Sequence, residues 1–194
     1  MSSRTIEIVR YDETWPDQFR EIAVPLRSAL GEIAVRIDHI GSTSVPGLAA
    51  KDVIDVQVTV ATLDGPLIAG LLAPVGYTRR ADINHDHVPP GEVTATAEWE
   101  KLYFRAPEGQ RPTHLHVRQN GRANQRYPLL FRDYLRANAD ASETYRQIKV
   151  ALARLHPDDV EAYYDIKDPA CDLIMQAATR WVRESGYTIG ATDA

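Results

Sequence analysis

The sequence predicts an α/β fold of the mixed, α+β kind: one mixed β-sheet with flanking helices and a C-terminal helical segment. Two observations predict it. Short β-branched or alternating runs at 33–40, 53–60, 100–105 and 113–117 are interspersed with apolar residues at helical spacing. Beyond Gly121 the strand pattern stops and amphipathic helix takes over. The reading is therefore an α/β core over 1–120 and a helical extension over 121–194 packed on it as a single compact unit. A chain of 194 residues fits that size.

Residues 5–9 alternate weakly and read as a first, edge strand. Thr14-Trp15-Pro16-Asp17 is a helix start, with a capping threonine, a first-turn proline and an acid at the positive end. Phe19, Ile22, Ala23, Leu26 and Leu30 follow at helical spacing, and Pro25 should kink or split the helix. Trp15 reads as a packing anchor. Strands over 33–40 and 53–60 flank a small-residue turn. Asp64-Gly-Pro-Leu67 opens a short helix that ends at Pro74-Val-Gly76, and 77–80 is a short strand. Residues 81–98 form a polar loop long enough for a lid or an insertion. Residues 100–105 and 113–117 form a hairpin. Residues 140–156 are an amphipathic helix with Lys149 on or beside its apolar face. Pro157-Asp-Asp-Val and Asp168-Pro169 read as two further helix starts.

The chemistry concentrates in His39-Ile-Gly-Ser-Thr-Ser-Val-Pro-Gly-Leu-Ala-Ala-Lys51-Asp-Val-Ile-Asp55-Val-Gln57. Gly41 permits close approach of a ligand to the backbone. Ser42, Thr43 and Ser44 offer hydroxyls beside turn N–H groups that suit an anion. Lys51 supplies a point charge for a phosphate, and Asp55 can hold a hard cation. The alternative is an ordinary Gly/Ser turn with a solvated Asp55. Asp55 and Gln57 share one strand face, while Asp52 points the other way.

This stretch closely resembles the signature of the GrpB family, a group of bacterial proteins placed in the nucleotidyltransferase superfamily. Tyr11-Asp12-Glu13-Thr14-Trp15, Leu115-His116-Val117, Phe131-Arg132-Asp133-Tyr134-Leu135 and Lys167 match further parts of the pattern, so the resemblance runs from Tyr11 to about Trp181. It implies a nucleotidyltransferase-like α/β fold. In that superfamily a Gly-Ser turn grips nucleotide phosphates, and an Asp-x-Asp pair with a later carboxylate binds divalent metal. Gly41-Ser42 matches the turn and Asp55 the first acid. Gln57 stands at the second acid position, and Asp52 stands where the family has proline. His114 or His116 falls about where the third ligand would be. A mixed Asp/His site suits Mn²⁺, Zn²⁺ or Fe²⁺ better than Mg²⁺.

The expected site therefore comprises Asp55 and Lys51 as catalytic residues, and Asp55, His114 and His116 as metal ligands. Gly41, Ser42, Thr43, Ser44, Lys101, Arg105 and Arg132 would bind nucleotide or phosphate. Lys101, Tyr103 and Arg105 share a strand face, as do His114 and His116; the alternative for these is a solvent-facing sheet surface. Arg132 is a phosphate clamp or one half of an ion pair with Asp133. Glu100 is the remaining candidate for a replacement carboxylate. His85-Asp86-His87 looks like metal chemistry but reads more simply as a solvated loop.

A net charge of −5 argues against a general nucleic-acid binder, so the expected partner is a nucleotide or phosphorylated small molecule. The single cysteine, Cys171, excludes an internal disulfide framework and reads as a buried structural thiol in a reducing compartment. No secretory signal and no membrane span are visible, so a cytoplasmic location is expected. No Gly-x-x-x-x-Gly-Lys occurs, although GrpB-like domains are fused to dephospho-CoA kinase in some bacteria. Two function classes follow: a metal-dependent nucleotidyl transferase, or a non-catalytic ligand-binding or interaction module on the same fold.

Overall fold

A computed structural model describes residues 5–92 and 96–194; the stretch 93–95 of the expected 81–98 loop lies outside the described residues. Among the described residues five strands form one mixed sheet: β1 (Ala34–Ile40), β2 (Ile54–Val60), β3 (Thr78–Arg79), β4 (Leu102–Arg105) and β5 (Thr113–Gln119), in the order β1-β2-β5-β4-β3. Neighbours are antiparallel except β2 and β5, which run parallel. Among the same residues, five α-helices flank it: α1 (Trp15–Leu30), α2 (Gly65–Leu72), α3 (Ala123–Ala137), α4 (Ala139–Leu155) and α5 (Val160–Ser185). The expected mixed sheet with flanking helices and a helical C-terminal segment is what the structure has.

Strand alternation gives the sheet two unlike faces. Ile54, Val56, Val58 and Val60 of β2, with Leu115 and Val117 of β5, are fully buried against Trp15, Phe19, Ala23 and Leu26 of α1 and Ile68 and Leu72 of α2. The opposite face carries Asp55, Gln57, His114 and His116, and the C-terminal helices lie over it. Two small apolar clusters join those helices to the N-terminal part: Ile6 with Leu152 and Tyr163, and Val45 and Leu48 with Leu135 and Tyr145. Polar groups on this face are thus enclosed without being part of the main core.

Several local expectations are corrected. Residues 5–9 form no strand; Val9 makes an isolated antiparallel bridge to Ala50. Thr14 makes no side-chain cap, and Asp12 instead accepts from the Thr14 amide at 2.8 Å. Pro25 does not split α1: the residue four before it, Glu21, is exposed, so the carbonyl lacking an N–H partner can face water. Asp168-Pro169 does not start a helix. α5 runs through it from an N-cap at Asp159, which accepts from the Ala162 amide at 2.9 Å, and Asp165, four before Pro169, is likewise exposed. Trp15 is completely buried, and its indole N–H donates to Asp52 at 2.9 Å. Asp52, also held by Arg111, is an anchor for α1.

Candidate functional site

Sheet register builds the site. In the parallel β2–β5 pair, Asp55 lies level with His114 and Gln57 with His116. His114 Nδ1 is 3.1 Å from Asp55 Oδ1, and His116 Nε2 is 3.9 Å from the same oxygen. The three donor atoms lie within 4.8 Å of one another. A transition ion with ligands at about 2.1 Å needs donors within about 4 Å of each other, so small side-chain rotations close the set. One carboxylate and two imidazoles are a fitting donor set for Mn²⁺, Zn²⁺ or Fe²⁺. Burial raises the Asp55 carboxyl, but the hydrogen bond from His114 and the charges of His114, His116 and His39 together outweigh it, and the net direction is down. His116 is pushed well below the ordinary histidine value by burial and by Arg118 and Lys101, so it is a neutral imidazole able to ligate.

The turn over Ser42–Ser44 is a short 3-10 segment entered through Gly41 at φ +70°. A Cβ on Gly41 would run into the Asp55 carboxylate, so this glycine makes room for the acid on the neighbouring strand. Ser44 Oγ donates to the Gly41 carbonyl at 2.5 Å, and Thr43 Oγ1 sits 3.0 Å from His39 Nε2. Thr43 and Ser44 are buried and shape the turn from within. Ser42 is half-buried.

Two cavities meet at Asp55 and share Ser42, Asp55 and Lys167. The first, about 240 Å³, is also lined by Lys51, Lys149 and the imidazoles. Lys51 Nζ lies over the Tyr163 ring at 4.2 Å and the Tyr164 ring at 4.8 Å. Burial and the neighbouring Lys167 lower the Lys51 ammonium. Lys149 is buried, donates to the Ala49 carbonyl at 2.6 Å, and is pulled down to about 7 by burial. Three lysines thus converge on the Asp55 side of the cleft. The second cavity, about 250 Å³, is walled by Trp99, Tyr127, Phe131 and Tyr145. Cys171 is half-buried in its lining and packs against the cluster of Val45, Leu48, Leu135 and Tyr145, with Sγ 3.5 Å from Tyr145 Oη.

The other expected ligands lie elsewhere. Gln57 is fully buried; its amide donates to the Gln125 carbonyl at 2.9 Å and accepts from Arg118 at 2.7 Å. Asp86 of the loop holds Arg118 at 2.8 Å and Lys101 at 2.6 Å, so Lys101 is half of a buried ion pair. These cations draw the Asp86 carboxyl far below its usual range although burial opposes them. His85 is exposed against Asn84, and His87 pairs with Asp172 at 2.9 Å, so the His85-Asp86-His87 run is a set of polar anchors. Arg132 is buried by Asp133, Asp193 and the His39 carbonyl and lines neither cavity. Arg105 is level with His114 but exposed on β4. Glu100 pairs with Arg122 at 3.2 Å.

Sequence reasoning left out Trp99, Asn124, Tyr127, Tyr163 and Tyr164 as lining residues. The adjacent tyrosines near a helix start, and a lysine on an apolar helix face, were the available signals. Which cavity they line depends on how α3–α5 fold back over the sheet.

The GrpB protein family model matches residues 5–177. The chain belongs to the GrpB family. The crystal structure of GrpB from Enterococcus faecalis superposes with a TM-score of 0.74 at 31% identity, covering 91% of this chain and 99% of that one. UPF0157 protein BH1888 of Halalkalibacterium halodurans is 34% identical over 90% of this chain and 83% of its own length. A protein named dephospho-CoA kinase from Mycolicibacterium paratuberculosis is 34% identical over 94% of this chain and 48% of its own length. This GrpB chain thus spans about half the length of the mycobacterial relatives it matches.

Proposed function

We propose that this GrpB protein binds a nucleotide or phosphorylated metabolite together with a divalent metal ion. Nucleotidyl transfer is the reaction class proposed for the site. The observation that carries the reading is the register-set triad of Asp55, His114 and His116, opening onto a cavity with three lysines. Asp55 and the two imidazoles would hold the ion, which when bound supplies charge neutralisation for phosphate oxygens. Ser42 and the turn amides would receive phosphate, and Lys51 and Lys167 would balance its charge. Tyr163 and Tyr164, which meet edge to face beneath it, hold Lys51 in place and keep it partly dehydrated, which strengthens its attraction for an anion.

One observation favours the second reading, a non-catalytic binding module. The second acid of the nucleotidyltransferase pattern is Gln57 here, and both ends of its amide are engaged by Arg118 and Gln125.

Calorimetric titration with ATP, GTP, CTP and UTP, with and without Mn²⁺, tests the proposal. Metal-dependent binding of a nucleotide that disappears in Asp55→Asn supports it. Binding that is indifferent to both metal and Asp55→Asn supports the simpler module. Absence of any binding overturns both.

A further inference from the structure

Helix α5 has two sides, and the cleft uses only one. Tyr163, Tyr164, Lys167, Asp168 and Cys171 line the cavities. At about 100° of rotation per residue, Ile166, Pro169, Ala170, Leu173 and Ala177 form a row on the other side. Ala170 and Ala177 are half-buried, and Pro169 is exposed. Ile166 is 49% exposed and Leu173 67%. An exposed apolar side chain standing alone is ordinary; a continuous apolar row is what a docking face presents.

The charges beside this row divide along the helix. Its N-terminal half exposes Glu161 and Asp165, and its C-terminal half exposes Arg180 and Arg183. The ion pairs that α5 makes among the described residues, His87 with Asp172 and Lys167 with Asp168, lie away from the row. Leu173 stands at the middle of the helix, which spans Val160–Ser185. Two copies of α5 laid antiparallel about a two-fold axis at Leu173 therefore bring opposite charges together. Asp165 lies about 12 Å before that axis and Arg183 about 15 Å after it. Both project about 80° to the same side of the row, so Asp165 of one copy falls beside Arg183 of the other. Ile166 comes level with the aliphatic stem of Arg180. Glu184, the exposed acid at the basic end, comes level with the other copy's helix N-terminus, where negative charge is favourable. A parallel pairing would set like charges together instead.

We infer that this face of α5 docks a second copy of the chain, antiparallel, with Leu173 against its own mate on the two-fold axis. The row is about 10 Å wide and about 17 Å long from Ile166 to Ala177. That is small for a specific interface, so the dimer is reversible and concentration-dependent rather than permanent. The inward side of the same helix roofs the cleft, so pairing braces that roof. The inference is independent of which ligand the cleft holds.

Sedimentation velocity of the full chain from about 1 µM to about 1 mM tests it. We expect a monomer–dimer equilibrium that Leu173→Glu, which sets two carboxylates face to face on the axis, weakens about tenfold or more. The position is exposed, so this variant should keep the wild-type melting temperature. Asp165→Arg and Arg183→Asp should each weaken the dimer, and the two together should restore it. Disulfide cross-linking reads the register. With helix axes about 8–10 Å apart, Cα atoms facing across the two-fold lie about 4–5 Å apart, within disulfide range. In a Cys171→Ser background, Leu173→Cys should therefore oxidise to a linked dimer. Ala177→Cys, whose two copies would lie about 12 Å apart along the helices, should not. A monomer at every concentration would overturn the inference and leave the face to a different protein, such as the part of the longer mycobacterial relatives outside the match. A dimer indifferent to Leu173→Glu would also overturn it, as would one with no rescue in the double reversal and equal cross-linking at both positions.

Discussion

Gly41 and Asp55 act as one unit, since the carboxylate occupies the space a side chain at 41 would fill. Gly41→Ala should therefore misplace Asp55 and also strain a backbone held at φ +70°. We expect a loss of roughly 1–3 kcal/mol in stability together with loss of metal affinity, read by thermal denaturation and by titration with Mn²⁺. Lys149 offers a test by pH. It faces Lys167, Tyr145, Cys171 and Asp55 and is pulled from 10.5 to about 7 in the folded chain. Between those values the unfolded chain holds more protons, so stability from this group rises with pH from about 7 towards 10 and is lost as pH falls through that window. Chemical denaturation at pH 7 and pH 9 should show wild type gaining on Lys149→Met, by at most about 1.4 kcal/mol per pH unit. Equal pH dependence in the two proteins would show that Lys149 is not held in this way.

Elements were legible where one local signal settled them. The turn after β1 and the Asp64 cap of α2 each rest on a residue whose conformation or hydrogen bond is local. Prolines were harder to place, because Pro25 and Pro169 sit in continuous helices where water can satisfy the freed carbonyl. Pro169→Ala should accordingly stabilise the chain, by up to about 3 kcal/mol, measured by urea denaturation; a lower midpoint would mean that Pro169 shapes α5 usefully. The strand expected over 5–9 failed for a related reason: a β-like pattern needs a neighbouring edge, and only Val9 finds one. At the site, Asp55, His114 and His116 were visible as strand residues on one face. Their registry was not, since pairing across the parallel β2–β5 join is set by the whole sheet. For Arg132 and Lys101 the sequence left the counter-charge open, because a buried cation reads alike whether it faces a ligand or an acid; in the fold Asp133 and Asp193 lie against Arg132 and Asp86 against Lys101.

At the scale of the whole molecule, one sheet separates two environments. Its apolar face packs α1 and α2, while its polar face forms the floor of a cleft roofed by α3, α4 and α5. Among the described residues no helix is long and apolar enough to cross a membrane. The cleft places a carboxylate and two imidazoles between a lysine-lined cavity and an aromatic one. Everything proposed for function depends on that triad holding an ion. The direct measurement is calorimetric titration of the metal-stripped protein with Mn²⁺ and Zn²⁺, compared with Asp55→Asn and His116→Ala. The account predicts about one ion per chain in the wild type, with affinity lowered about tenfold or more in each variant and little change in melting temperature. Unchanged affinity in both variants, or no ion bound by the wild type, would contradict it.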